Sequence, residues 1–291
     1  MIRKYWPFII LIIFIIIGVV IYRQVQDYRA EQQRRIVAMQ QKAEEIQVTI
    51  IEGWTIAQMG AKFEEAEMFS ADDFVSAAEA YDSTKYPLVQ KPQGTSLEGY
   101  LFPDTYRFAK GSTPVQVIDK MLENFSRRVT NIGVESAGND FVIPSFENLE
   151  PAGGDGISGM SLYDVITLAS IIEREGGGGG PMPLAEERGL IAGVFYNRLM
   201  IGQGLESDAT VNYITGKNTP GVSLRDTEID SPYNTYKFAG LPPGPIGSPS
   251  LGSIQAALKP IKSDFYYFLH KQPSGEVVFS KTFADHIRAR Q

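Results

Sequence analysis

The stretch Ser161-Leu162-Tyr163-Asp164-Val165-Ile166-Thr167-Leu168-Ala169-Ser170-Ile171-Ile172-Glu173-Arg174-Glu175 sets the frame for what surrounds it. Ser161 and Asp164 have capping-box spacing, which satisfies two of the orphan N–H groups at a helix start. A helix is therefore predicted from Leu162 to about Glu175, stopped by the glycine run Gly176–Gly180. At about 100° per residue and with Leu162 as origin, Val165, Ile166, Ala169 and Ile172 fall within about 80° of it. Glu173 falls at about 20°, inside that apolar stripe, while Arg174 at about 120° and Glu175 at about 220° point elsewhere.

A carboxyl on a core-facing stripe must be desolvated, paired or functional. Desolvation favours the protonated form, and a carboxylic acid that keeps its proton near neutral pH can act as a general acid. A blander alternative stays open, in which Glu173 swings to solvent or pairs with an arginine. Glu187 repeats the pattern, because Leu190, Ile191 and Val194 follow it at helical spacing on the next predicted helix.

Composition narrows the chemistry. The 291 residues include 0 Cys and 2 His, which excludes disulfides, thiolate nucleophiles, iron–sulfur clusters and Cys-rich zinc sites and argues against a His-rich metal site, and no cofactor is expected. The motifs Ser-x-x-Lys, Gly-x-Ser-x-Gly and His-Glu-x-x-His are absent, and Gly176–Gly180 lacks the Gly-Lys-Ser/Thr of a phosphate-binding loop. Carboxylates, hydroxyls and amides are left, a set suited to glycoside chemistry. Six basic residues against two acidic give residues 1–35 a charge of +4, so residues 36–291 carry −11 of the total −7. An acidic body argues against a nucleic-acid partner.

Outward from the helix, the N-terminal end reads as a membrane anchor. Residues 5–22 carry no charge, with Tyr5, Trp6 and Tyr22 at the two ends, and reach about 27 Å as a helix, close to the hydrocarbon thickness. Bulky Tyr22 and Arg23 stand where a signal-peptide cleavage site needs small residues, so the segment reads as uncleaved. Basic residues lie on both sides of it, and charge alone assigns no orientation. Residues 23–45, polar and free of Gly and Pro, extend it as a helical stalk. Val48–Ile51 reads as a strand, Thr55 with Gln58 opens a helix to about Ala66, and Ser70 with Asp73 opens another to about Ala80. These make a small module. Val115–Val129 is a further helix, and Asn131–Met160 is a Gly, Pro and Asn-rich connection.

Four later segments have the composition of groove walls: Leu205–Tyr213, Ser231–Tyr236, the stiff turn Leu241–Gly247, and Phe279–Thr282 after a predicted hairpin around Ser274-Gly275. Aromatic faces suit the C–H surfaces of sugars, and amides and hydroxyls suit their hydroxyl groups.

Six strings in order resemble the motifs of the YceG-like (MltG-type) endolytic murein transglycosylases. They are Leu97-Glu98-Gly99-Tyr100-Leu101-Phe102-Pro103-Asp104-Thr105-Tyr106, Ala169–Glu175, Val194-Phe195-Tyr196-Asn197-Arg198-Leu199, Ser207-Asp208-Ala209-Thr210, Tyr233-Asn234-Thr235-Tyr236 and Gly240-Leu241-Pro242-Pro243-Gly244-Pro245-Ile246, with Phe279–His286 also similar. The resemblance implies an α+β fold: a tail at 1–4, a transmembrane helix at 5–22, a stalk at 23–45, a LysM-like module at 46–95 and a catalytic domain at 96–291. It implies a single-pass inner-membrane protein whose body faces the cell wall and cuts the bond between N-acetylmuramic acid and N-acetylglucosamine within nascent strands. A 1,6-anhydro-muramyl end results, strand length is limited, and peptidoglycan synthases become expected partners. It also implies that Glu173 is the catalytic glutamate, and that Glu187, the acidic member of a Glu-Arg pair, contacts the glycan together with Asn197, Ser207, Asp208, Thr210, Tyr233, Asn234, Tyr236 and Phe279. Ala209 where the family often has Pro, the long glycine run and the expanded 131–160 connection depart from the pattern and bear on loop geometry. Two rivals remain, a non-catalytic wall-binding scaffold and a lysozyme-type muramidase.

Overall fold

The computed structural model describes residues 6–43, 45–134, 160–177, 179–217 and 221–291, with the side chains of 6–15 and 37–43 left aside. Most of the 131–160 connection, Gly178 of the glycine run and residues 218–220 thus lie outside the described residues. Contacts group the chain into two units, residues 1–47 with 107–111, and residues 48–106 with 112–291. In the first, α1 runs without a break from Trp6 to Ala43. Tyr5 and the side chains of 6–15, much of the expected span, lie outside the described residues, and among those described no helix is long and apolar enough to cross a membrane. Strands β1 (Glu45–Thr49) and β2 (Thr105–Ala109) pair as a two-stranded sheet. β1 begins three residues before the predicted Val48 and gives way at Ile50, whose N–H reaches Asp104 O at 3.0 Å.

In the second unit the predicted caps are formed. Thr55 and Gln58 close a capping box on α2 (Ile56–Glu65), and Ser70 caps α3 (Ala71–Ala80). Thr113 and Gln116 make a second box on α4 (Pro114–Thr130), whose first residue is proline, where no N–H is needed. Ser161 and Asp164 close the box on α5 (Leu162–Glu175). α5 is not amphipathic in place: Leu162 and every residue from Val165 to Ile172 are buried, Thr167 and Ser170 included. A helix covered all round is a core helix, and its polar positions face other protein rather than water. The Pro-Gly turn packs on it, with Tyr163 Oη donating to Pro243 O at 3.1 Å and Ile246 N–H to Ser170 Oγ at 3.0 Å. Gly99, at φ +87°, sits where a Cβ would lie 2.7 Å from Pro245 and 2.8 Å from Ile166, so a side chain there would push that turn off the helix.

α6 (Leu184–Met200) and α8 (Leu251–Leu258) complete the helical core. Gly193 allows α6 its close approach to the following chain, since a Cβ there would come within 2.2 Å of Ile261 O. The expected groove-wall segment Leu205–Tyr213 folds in large part as α7 (Asp208–Thr215), with Ala209, Thr210, Val211 and Asn212 buried. The hairpin is found as β3 (Tyr267–His270) antiparallel to β4 (Val277–Ser280), Tyr267 opposite Ser280 and His270 opposite Val277, followed by α9 (Phe283–Ala289).

Glu98 joins the first long motif to α2. Its two oxygens each lie 3.2 Å from Ile56 N at the helix start. Burial pushes its carboxyl up to about 8, against the pull of the Ile56 and Gly99 N–H groups and of Arg174. A pKa raised from 4.5 means the folded state holds a proton that the unfolded chain has released, so stability falls as pH rises between 4.5 and about 8. Glu98→Gln, a neutral isostere, is expected to flatten that slope and to be more stable than the parent above pH 8. Thermal unfolding of both proteins across the range checks this, and parallel slopes would contradict it.

Candidate active site

Glu173 and Glu175 lie two residues apart on α5 and so point about 200° apart. Glu173 faces the helical core. Its Oε1 accepts from Arg188 of α6 at 2.6 Å, with both side chains little exposed, 7% for Glu173 and 12% for Arg188. Its Oε2 accepts from Ser250 N at 2.9 Å, Ser250 Oγ at 2.5 Å and Ser253 Oγ at 2.8 Å, the first turn of α8. The open alternative from the sequence, pairing with an arginine, is the arrangement found. A carboxylate suits the positive end of a helix, the place Glu173 takes at the start of α8.

Glu175 faces the other way, into a cleft of 1180 Å³ that Glu173 does not line. Its carboxyl accepts from Ser207 Oγ at 2.5 Å and from the Ala209 N–H. Ser207 occupies the N-cap position of α7 but makes no side-chain cap, because its hydroxyl is committed to Glu175. Burial raises the Glu175 pKa, and the nearby Asp208 charge adds to this, while Ser207, the Ala209 N–H and His270 pull the other way. A carboxyl that holds its proton above the ordinary range beside an open cleft has the property that the sequence reading had expected of Glu173.

The cleft is braced from behind. Arg198 of α6 donates to Leu205 O at 2.6 Å and to Tyr266 O at 2.7 Å, tying the loop before α7 to the chain entering β3, and its guanidinium lies 5.2 Å from the Tyr267 ring centroid. Between them Glu206 adopts φ +50°, a left-handed conformation costly for a non-glycine residue and one that clusters at functional sites. Thr235 Oγ1 accepts from Ser207 N at 3.1 Å and lies 2.9 Å from Thr210 Oγ1. Tyr236 Oη donates to Asp208 at 2.6 Å across the cleft wall, and burial with that carboxylate pushes the phenol up.

Of the residues expected at the site, Ser207, Asp208 and Tyr236 line this cleft. Glu187 and Asn234 are fully buried, and Thr210 likewise. Asn197 gives its amide to Ser263 O and Phe265 O, both at 2.8 Å, and Asn234 gives its amide to Thr227 O at 2.9 Å and Ile229 O at 2.8 Å. These side chains hold the loops that shape the site. Tyr233 packs on Tyr213 at 5.0 Å, Phe279 stacks on Phe265 at 5.6 Å, and neither lines the cleft. Glu175, Arg198 and His270 do line it and were not selected from sequence, and Asn212 of the expected groove-wall segment lines it too. A signal for Glu175 was present: the run Leu168–Ile172 carries only the small Ser170 among apolar residues, which marks a helix buried on more than one face.

The model of the YceG-like family matches residues 25–291. An endolytic murein transglycosylase of Bacillus subtilis (strain 168) is 34% identical over 257 residues, covering 84% of this chain and 64% of its own. One from Streptococcus pneumoniae serotype 2 is 34% identical over 263 residues, covering 83% of this chain and 43% of its own. The chain thus spans roughly two fifths to two thirds of the length of these relatives. The crystal structure of the yceG-like protein lmo1499 from Listeria monocytogenes superposes with a TM-score of 0.68 at 31% identity, over 84% of this chain and 76% of that one.

Glu173→Gln leaves Arg188 without its counter-charge in a nearly closed site. A loss of about 3 kcal/mol is expected, the lower end of what breaking a buried pair costs. Urea unfolding measures it, and an unchanged midpoint would mean that the clamp carries no stability.

Proposed function

The chain belongs to the YceG-like family, and from that premise we propose that it is a membrane-anchored endolytic murein transglycosylase in which Glu175, not Glu173, is the general acid and base. The observation that carries this is the Glu175 carboxyl, raised by burial and open to the cleft. The names of the relatives support the activity and the peptidoglycan substrate.

In the proposed reaction the protonated Glu175 gives its proton to the glycosidic oxygen between the muramyl and glucosaminyl residues as the bond to C1 breaks. The resulting carboxylate then takes the proton of the muramyl C6 hydroxyl while O6 closes on C1, and the acid is regenerated. The nucleophile belongs to the substrate, so one carboxyl performs both transfers. Ser207 orients that carboxyl, and Asp208 with Tyr236 offers the sugars an acceptor and an aromatic face. Glu173 keeps the clamp role described above.

The uncharged run at 5–22 within the N-terminal segment supports a single-pass anchor, with the body placed outside the cytoplasm where wall glycan lies. Strand and helices β1, α2 and α3 support a small LysM-like module over 46–95. Cutting within nascent strands would end their elongation and place the protein beside the synthases that make them.

Glu175→Gln is expected to fold and to lose turnover by at least about a hundredfold on uncross-linked glycan strands, the usual worth of an acid–base group. Mass spectrometry of the products reads the reaction. Anhydro ends are expected. Ends heavier by one water would indicate a muramidase, and intact glycan with the parent protein would indicate a binding scaffold.

A further inference from the structure

Glu187 takes no part in that reaction, yet its side chain is fully buried on α6. Its Oε1 lies 3.0 Å from Nε2 of His270, while its Oε2 is buried with no hydrogen-bond partner among the described residues. A buried carboxylate is tolerated only when a neighbour compensates it, and a half-satisfied one calls for an explanation. The imidazole is the neighbour. His270 ends β3, with its side chain 23% exposed, and lines the cleft that holds Glu175.

We propose that Glu187 and His270 form a charge-setting pair for the cleft: the buried carboxylate anchors Nε2 of the ring at the cleft wall, and the ring, when charged, stabilises the Glu175 carboxylate formed when the acid gives up its proton. His270 is a positioning residue in this scheme. It makes and breaks no bond to the glycan. The inference rests on Glu175 being the acid.

His270 acts beside other charges of the cleft. Asp208, at the start of α7, opposes ionisation of Glu175, while the His270 ring and the guanidinium groups of Arg174 and Arg198 favour it. On the other elements Arg174 of α5 lines the cleft, Arg198 of α6 is paired with Glu206 at 3.4 Å, and β4 carries no titratable side chain. Lys271 follows β3 and Arg290 follows α9, and His286 of α9 is held down by burial and by the Arg290 and Arg198 charges. None of these hydrogen-bonds Glu187 among the described residues.

The sign of the effect is definite. Removing the ring's charge raises the Glu175 pKa further, so the alkaline limb of the rate profile, set by loss of that proton, moves to higher pH. The full chain in detergent is assayed on uncross-linked glycan across pH as parent, His270→Ala, His270→Lys, Glu187→Gln and Glu175→Gln. His270→Ala and Glu187→Gln are expected to move the limb up by about one unit and to lower kcat about tenfold with little change in KM. His270→Lys, which restores a positive charge, is expected to keep the limb at or below the parental position. If Glu187→Gln does not fold, the Ala and Lys variants decide between them. A limb unmoved in His270→Ala, or moved equally by Ala and Lys, overturns the pair while an inactive Glu175→Gln leaves the proposed function standing. An active Glu175→Gln overturns both.

Discussion

The contacts of Glu173 hold the centre of this molecule together. One oxygen takes the Arg188 guanidinium and the other takes the first turn of α8, so three helices meet at a single side chain. Because successive α-helical residues turn by about 100°, fastening Glu173 inward commits Glu175 to the opposite side. The clamp therefore sets the direction of the cleft carboxyl without touching it. Two glutamates of one short motif acquire different work through rotation about one helix axis.

The cleft is assembled from backbone placements made at a distance. Arg198 gathers the loop before α7 and the strand after it through carbonyl oxygens, and Asn197 and Asn234 pin their own loops in the same way. Such side chains donate to the main chain and are buried, so they are spent on shape. What remains facing the cleft is a small polar set, and each member is held by something behind it: Ser207 by Thr235, Asp208 by Tyr236, and His270 by Glu187.

The acids of this chain end on opposite sides of their ordinary range according to their partners. Glu98 and Glu175 are both pushed up by desolvation, Glu98 against the N–H groups at a helix start and Glu175 beside a second carboxylate. Asp104, with Arg128, Asn124 and the Thr105 N–H, is pulled down although burial alone would raise it. Partner geometry, more than depth, separates an acid that keeps its proton from one that loses it.

Local chemistry was legible along the chain. Ser161 with Asp164, Thr55 with Gln58, and Ser70 announced α5, α2 and α3 at their first residues, because a cap is an interaction among neighbours three apart. The ordered motifs announced the family for the same reason, being short strings. The helical wheel placed Glu173 correctly on an inward face but assumed one such face, and in α5 nearly every face is covered. Which glutamate meets the cleft depends on Arg188 and Ser250, 15 and 77 residues away, and which asparagines are structural depends on carbonyls up to 68 residues away. Residue type and spacing thus determined the helices and the kind of chemistry, while long-range packing alone decided which carboxyl stays desolvated beside open space.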